Sequence, residues 1–256
     1  MPKYGKNSFS INELTLACNT SSNNIQQLLN KLQKAKLISS IVRGFYVITP
    51  IEYQAKGIVP PSIYILDLMK FLDKKYYVGL LSSAAYYGAT HQQSQAYTVI
   101  TEIPIPNLSP TKHPELKFFG KKIIPNAYLR AIRGKSGDIP ISSPELTAID
   151  LLTYAKQIGG LNRIATILSE LAESIDFNTV SNDFFDMASV ATYQRLGYIL
   201  EEIVGDTKTA DGLFEKMAIA NLKTQRAKLK SDACSNFSKF NKKWKIEINT
   251  TIEIDE

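Results

Sequence analysis

The first fifty residues show two short stretches of helical periodicity followed by two short apolar runs. Residues 10–13, SINE, have the S-x-x-E form of a capping box and open the first stretch. The polar residues 19–21, NTS, end it, because short polar side chains bond their own backbone and favour turns. Ser21 or Ser22 can then cap a second helix. In that helix the apolar residues follow i, i+3, i+4, i+7 spacing, which predicts one buried stripe of Ile25, Leu28, Leu29 and Leu32.

The two apolar runs, residues 37–42 and 45–48, flank Arg43 and Gly44. Gly44 permits the positive φ of a tight turn, so the runs predict a hairpin with Arg43 at its tip. Helix, turn, helix and hairpin in this order are typical of a winged helix-turn-helix. We therefore expect an α+β protein, with a winged helix-turn-helix at residues 1–57 and a larger mixed α/β domain at residues 58–256.

The polar side of the second helix carries amides and cations, and no carboxylate occurs between Glu13 and Glu52. Asn and Gln can bond adenine at its major-groove edge, and Lys and Arg pair with phosphate. This composition favours DNA binding; the alternative is a small protein-contact domain built from the same elements. We predict that Ser21 and Ser22 bind phosphate at the start of the helix. Base reading is assigned to Asn23, Asn24 and Gln27, near the start of the helix. Phosphate neutralisation is assigned to Lys31, Lys34 and Arg43.

The rest of the chain predicts a small mixed or antiparallel sheet and several helices. A helix over residues 62–74 either completes the small N-terminal core or follows a shortened domain, and the sequence leaves both open. Gly88 and the pair Gly159-Gly160 mark helix boundaries. Strands are expected at residues 97–101, 116–119, 122–124, 128–132 and 244–254, and helices at 81–85, 143–154, 178–188, 191–204 and 213–229.

Positive charge is concentrated at the two ends of the chain. The net charge is +6 overall, +5 over residues 1–56 and +8 over residues 216–245. The second block predicts either a second DNA surface or a solvated helix face, because both tolerate clustered cations. The residues that would form the second DNA surface are Lys223, Arg226, Lys228 and Lys230.

Few residues suggest catalysis or metal binding, so we expect no enzyme, cofactor or metal. The two cysteines lie far apart without CxxC spacing, and we expect Cys18 to pack as a small hydrophobe. His91 and His113 are interpreted as structural or exposed. A metal-dependent nuclease using Asp138 or Glu145 is the one catalytic alternative. No apolar run could span a membrane and the start lacks a signal peptide, which predicts a cytoplasmic protein.

Three ordered segments resemble the AbiEi family, the antitoxins of type IV toxin–antitoxin abortive-infection systems. They are residues 76–101, SPELTAIDLL at 143–152 with Gly159-Gly160 after it, and YQRLGYILE at 193–201, behind a hairpin that reads RGFYVI. The resemblance implies a winged helix that binds inverted repeats in operator DNA and represses its own operon. It also implies a C-terminal antitoxin domain that counters a nucleotidyltransferase-like toxin without a stable complex, in a monomer or weak dimer. The alternative is a stand-alone winged-helix repressor whose C-terminal domain senses a ligand or dimerises.

Overall fold

The computed structural model describes residues 6–18, 21–89, 96–109, 112–134, 136–232 and 239–254. The protein is a mixed α+β structure whose chain divides into two compact units. The first unit comprises Met1–Val78, Gln95–Ile124 and Arg130–Ile141, and the second comprises Gly79–Ser94, Pro125–Leu129 and Ser142–Glu256. His91 and Cys234, to which the sequence assigned no site, lie outside the described residues.

The first unit begins with the two predicted helices and the hairpin. A three-residue strand pairs antiparallel with the second hairpin strand, giving a sheet of order β1-β3-β2. The hairpin strands are joined by a two-residue loop, because Val42 pairs with Phe45. The elements are β1 Ser8–Ser10, α1 Ile11–Cys18, α2 Ser22–Lys34, β2 Ile38–Val42, β3 Phe45–Ile48 and α3 Ile51–Gln54.

A later helix, α4 Ile65–Phe71, packs against the hairpin. Ile41, Phe45 and Val47 of the hairpin join Leu68 and Met69 of α4 in one buried apolar cluster. The small core beneath α2, formed by Ile25, Leu29, Ile38 and Tyr46, includes none of residues 62–74 among the described residues. Helix α4 therefore does not complete that core, and packs instead in a second cluster that the hairpin shares with residues of the 76–141 segment. The first compact unit continues past residue 57, where the sequence places a domain boundary.

The first unit also holds a five-stranded mixed sheet of order β6-β5-β4-β8-β7. β5 runs antiparallel to β4 and parallel to β6, and Val78 of β4 pairs parallel with Ile141 of β8. A mixed sheet was one of the two predicted kinds, but β4 and β8 were missed and residues 122–124 form no strand. The strands are β4 Tyr76–Val78, β5 Tyr97–Glu102, β6 Leu116–Lys121, β7 Leu129–Gly134 and β8 Gly137–Ser142.

The second unit is mainly helical and centres on the segment SPELTAIDLL. Ser143 caps this helix by accepting a hydrogen bond from the Leu146 amide at 3.3 Å, and Pro144 occupies its first position, as predicted. Its buried Thr147 donates to Ser83 Oγ at 3.0 Å. The helices are α5 Leu80–Tyr86, α6 Pro144–Thr153, α7 Ala155–Ile158, α8 Gly160–Leu171, α9 Val190–Tyr198, continued by a π-helix over Ile199–Val204, and α10 Thr207–Ile219.

A three-stranded sheet of order β10-β11-β9 completes the second unit. Its strands are β9 Ala227–Lys228, β10 Lys239–Asn241 and β11 Ile246–Ile248. The long strand expected over residues 244–254 is therefore only three residues in length. Trp244 lies beside β11, and it is 1% exposed.

Two helices predicted in the second unit differ from the structure: one ends earlier, and the other does not form. The helix expected over residues 213–229 ends at Ile219, because Asn221 takes a left-handed φ of 53° and the Leu222 amide bonds back to Met217 O at 3.1 Å. The helix expected over residues 178–188 is replaced by short 3-10 turns at Phe177–Thr179 and Asn182–Asp186. There Asp176 accepts from the Asn178 amide at 2.9 Å, a local bond that competes with helix continuation.

No helix among the described residues is long and apolar enough to cross a membrane.

Candidate nucleic-acid interface

The capping box at the start of α1 is formed in both directions. The Ser10 amide donates to Glu13 Oε2 at 2.7 Å, and the Glu13 amide donates to Ser10 Oγ at 3.2 Å. Lys6 also bonds the Glu13 carboxylate, and this hydrogen bond lowers the pKa of Glu13. The entry to α1 is thus fixed by the residues that the S-x-x-E pattern indicated.

The second helix starts at the predicted cap. Ser21, in extended conformation, accepts the Asn24 amide at 3.4 Å through its Oγ. Ser22 is the first residue of α2. The remaining amides of this first turn belong to a helix N-terminus, where unpaired N–H groups attract anions.

The buried side of α2 is narrower than the sequence predicted. Ile25 and Leu29 are 1% and 0% exposed and pack with Ile38 and Tyr46 of the hairpin. Leu28, predicted to lie in the same stripe, is 40% exposed. Residues i and i+4 stack along one line of a helix, and Leu28 lies about 100° of rotation away from Leu29.

Seven of the eight predicted DNA-contact residues have exposed side chains in the structure. Asn23, Gln27 and Lys31 follow i, i+4, i+8 spacing, so they form one line along α2. Beside this line, Gln26 Nε2 donates to Asn30 Oδ1 at 3.2 Å. The exposed residues are Ser21, Asn23, Asn24, Gln27, Lys31, Lys34 and Arg43; the side chain of the eighth, Ser22, lies outside the described part of the structure.

The hairpin tip is held against the rest of the first unit. Gly44 has a φ of +85°, as the turn requires, and its carbonyl accepts the Ile11 amide at 2.8 Å. A Cβ on Gly44 would lie 3.6 Å from both Ile11 and Phe71. The tip is therefore a short, supported turn, and it presents the exposed Arg43 beside the start of α1.

His113 ties the hairpin to the loop that precedes β6. Its Nε2 lies 3.0 Å from Ser40 O, and its Nδ1 lies 3.2 Å from Glu115 Oε1. The side chain is buried, which agrees with the structural alternative given for this histidine. Sequence reasoning missed this contact, because Ser40 and His113 are 73 positions apart and no local pattern links them.

Charge is divided sharply between the two units. The first unit contains 17 Lys and Arg and 7 Asp and Glu, a net charge of +10. The second contains 13 Lys and Arg and 17 Asp and Glu, a net charge of −4. The unit that carries α2 and the hairpin is therefore the one that attracts a polyanion.

Several cations of the C-terminal basic block have partners within the second unit. Arg226 bonds Glu247 and lies over the Phe240 ring at 5.1 Å, while Lys243 bonds Glu201 at 2.9 Å and Asp211 at 2.7 Å. Of the four residues predicted as a second DNA surface, Lys223 and Lys230 are exposed, and Lys228 is half-buried in β9.

The two carboxylates considered for a nuclease have separate surroundings. Glu145 is buried in the first turn of α6, and its Oε1 accepts the Asp176 amide at 2.9 Å. Asp138 is exposed on β8. Among the described residues, no group of three or more His, Cys, Asp or Glu side chains could hold a metal ion. In this structure Glu145 thus accepts a hydrogen bond from the backbone that follows α8.

The exposure of Cys18 contradicts the expectation that this residue packs as a small hydrophobe. It is exposed at the last position of α1. The α1 residues that pack on the small N-terminal core are Ile11 and Leu14, at the other end of the helix.

The three segments singled out by the sequence fall within a known family. The model of the AbiEi antitoxin C-terminal domain matches residues 77–202. Over these residues, the chain belongs to the AbiEi family. This AbiEi region spans β4 to the π-helix after α9 and contains both SPELTAIDLL and YQRLGYILE.

A solved structure shares the fold over nearly the whole chain. The RV2827C protein from Mycobacterium tuberculosis matches with a TM-score of 0.68 and 11% sequence identity, covering 94% of this chain and 86% of that one. At this identity the likeness concerns the fold alone. No curated protein matches the chain.

Proposed function

We propose that the protein is a DNA-binding antitoxin of a type IV toxin–antitoxin system that represses its own operon. In this proposal α1, α2 and the hairpin form a winged helix-turn-helix with α2 as the recognition helix. The observation that carries the proposal is the exposed line of amides and cations on α2, within a unit of net charge +10. The AbiEi region of the chain supports the antitoxin part.

The proposed contacts combine base reading with phosphate neutralisation. Asn23, Asn24 and Gln27 lie in the first half of α2, the part of a recognition helix that enters the major groove. Lys31 and Lys34 lie in the last turns of α2, and Arg43 lies at the hairpin tip. At these positions the cations would contact the phosphate backbones on the two sides of the groove. The expected ligand is double-stranded DNA with inverted repeats upstream of the protein's own gene.

Replacing Asn24 by alanine tests the base-reading part. The change leaves the Ser21 cap in place, because the cap is made to the Asn24 backbone amide. Loss of a bidentate contact to adenine should cost about 1–3 kcal/mol on the operator and little on unrelated DNA. Fluorescence anisotropy with the upstream fragment and a scrambled duplex measures both affinities.

Asn30→Ala is the matched control on the same helix, since Asn30 is exposed and lies six residues further along. We expect it to preserve the ratio of operator to scrambled affinity. Equal weakening of both duplexes by Asn24→Ala would remove Asn24 from the base-reading set.

Co-expression with the adjacent gene tests the antitoxin part. A nucleotidyltransferase-like toxin encoded there should arrest growth, and the full chain should relieve the arrest. The variant Lys31→Ala/Lys34→Ala should still relieve it when both genes are driven from foreign promoters, because antitoxin activity is assigned to the AbiEi region rather than to α2.

Failure of the wild-type chain to relieve the arrest would favour the alternative, a stand-alone repressor with a ligand-sensing or dimerising second unit. Binding to the upstream fragment without any toxic neighbour would have the same meaning.

A further inference from the structure

A cleft of about 490 Å³ opens on the second unit. It lies where α6, α7 and α8 succeed one another, and α9 and the segment after β9 complete its walls. This volume falls within the range of about 300–1,000 Å³ that is usual for small-molecule sites. Leu152, Leu161 and Leu229 contribute apolar wall, while Asn162 and Ser231 contribute hydrogen-bonding side chains.

The charged side chains of the cleft are mainly cationic. Lys156, Arg195 and Lys230 line it, against one carboxylate, Asp232, whose Oδ2 lies 3.2 Å from Lys156 Nζ. The unit that contains the cleft has a net charge of −4. Within this acidic unit, part of the cleft wall comes from the basic block of residues 216–245, and three cations against one carboxylate favour an anionic ligand.

The Arg195 side chain is held in place by a hydrogen bond within the protein. Its Nε donates to Lys228 O at 2.9 Å, which uses one of the five N–H donors of the guanidinium. The side chain is half-buried, and burial lowers the pKa of Arg195, since the charge has lost part of its hydration. A partly dehydrated, fixed guanidinium is well suited to bidentate binding of phosphate.

The start of α8 adds backbone donors to the same cleft. Gly159 and Gly160 have φ values of +116° and +85°, and no side chain of the described residues caps this twelve-residue helix. A Cβ placed on Gly160 would meet no atom within 4 Å, so the space beside this glycine is open. Unpaired amides at a helix N-terminus complement the charge supplied by the three cations.

The cleft is also lined by residues from the segments that resemble the AbiEi family. Leu152 ends SPELTAIDLL, Gly159-Gly160 follows it, and Arg195 belongs to YQRLGYILE. DNA binding by α2 makes no use of these residues. We propose that the cleft binds a phosphate-bearing small molecule of mononucleotide size, with Arg195 and Lys230 on the phosphate and the apolar wall against the base. This ligand site goes beyond the proposed function and does not depend on it.

Isothermal titration of the full chain with AMP, ATP and pyrophosphate tests the proposal. We expect saturable binding of AMP and ATP to one site. Lys230→Gln should weaken it about tenfold, since a hydrogen bond to a charged group is lost. Asp232→Asn should strengthen it up to about fivefold, because the competing carboxylate beside Lys156 is removed.

Lys208→Gln is the matched control, because Lys208 is exposed on α10 of the same unit and does not line the cleft. It should leave the affinities unchanged, and thermal melts should show that all three variants remain folded. The proposal is overturned if neither nucleotide binds with a Kd below about 1 mM. It is also overturned if Lys208→Gln and Lys230→Gln have equal effects. Binding of pyrophosphate without binding of AMP would overturn the nucleotide assignment. The assignment would also be overturned if Lys230→Gln kept its affinity for AMP and ATP and lost affinity only for duplex DNA, measured in a parallel titration.

Discussion

Replacing Gly197 by alanine is expected to lower the free energy of unfolding of the second unit by about 3 kcal/mol or more. Gly197 lies in α9, within YQRLGYILE, and the indole ring of Trp244 covers it. A Cβ at this position would lie 2.0 Å from Trp244 Cη2. No real contact is that short, so the ring or the helix has to move.

The ring has little freedom to move. Trp244 is 1% exposed, its Nε1 donates to Glu201 Oε2 at 2.5 Å, and Phe214 packs edge-on against it with centroids 5.3 Å apart. Displacement would break the hydrogen bond and open the packing at the same time. We therefore expect a loss in the free energy of unfolding at the upper end of the range for overpacked cores.

Urea denaturation followed by tryptophan fluorescence measures this effect, because Trp244 is the single tryptophan of the chain. Gly212→Ala in α10 is the matched control: a Cβ there would meet nothing within 4 Å. Alanine at an open helical position should stabilise the protein by about 0.5–1 kcal/mol. If the two alanine variants unfold at the same urea concentration, the account of Gly197 is wrong.

The double variant Lys31→Ala/Lys34→Ala is expected to bind all DNA sequences about 30-fold more weakly near physiological salt. Each lost phosphate contact removes the release of about 0.9 counterion, which corresponds to about fivefold in affinity at this salt concentration. Both lysines are exposed at the end of α2, so their removal should leave the small core of Ile25 and Leu29 intact.

The control for this experiment removes the same charge from the same unit. Lys56 and Lys70 are exposed outside α2 and the hairpin. The variant Lys56→Ala/Lys70→Ala should bind DNA nearly as well as the wild type. A similar loss in both double variants would mean that the net charge of the first unit, rather than the α2 face, determines affinity.

Local signals in the sequence predicted the N-terminal elements well. The capping box, the Ser21 cap and the glycine of the hairpin turn each act within four residues, so they are visible in a short window. The end of α10 at Ile219 was missed because the left-handed residue that follows it is Asn221, and Asn marks such positions less regularly than Gly. β8 was missed because its sequence, GDIPIS, contains a glycine, an aspartate and a proline, which are depleted in strands.

The candidate sites show the same limit. Amides and cations free of carboxylates marked the exposed side of α2, since that pattern lies within one helix. The C-terminal block suggested a second DNA surface, but Glu247 and Glu201, which pair with Arg226 and Lys243, cannot be recognised as partners from spacing. The cleft around Arg195 likewise depends on segments that only the fold brings together.

The central claim, that α2 binds DNA through its exposed cations, is tested most directly by the salt dependence of affinity. Anisotropy titrations of the wild type and the two double lysine variants would cover about 0.05–0.2 M salt on the upstream fragment. The slope of log K against log salt is negative. The account predicts that it becomes shallower by about 1.8 for Lys31→Ala/Lys34→Ala and stays unchanged for Lys56→Ala/Lys70→Ala. Equal slopes for the wild type and the α2 variant would contradict it.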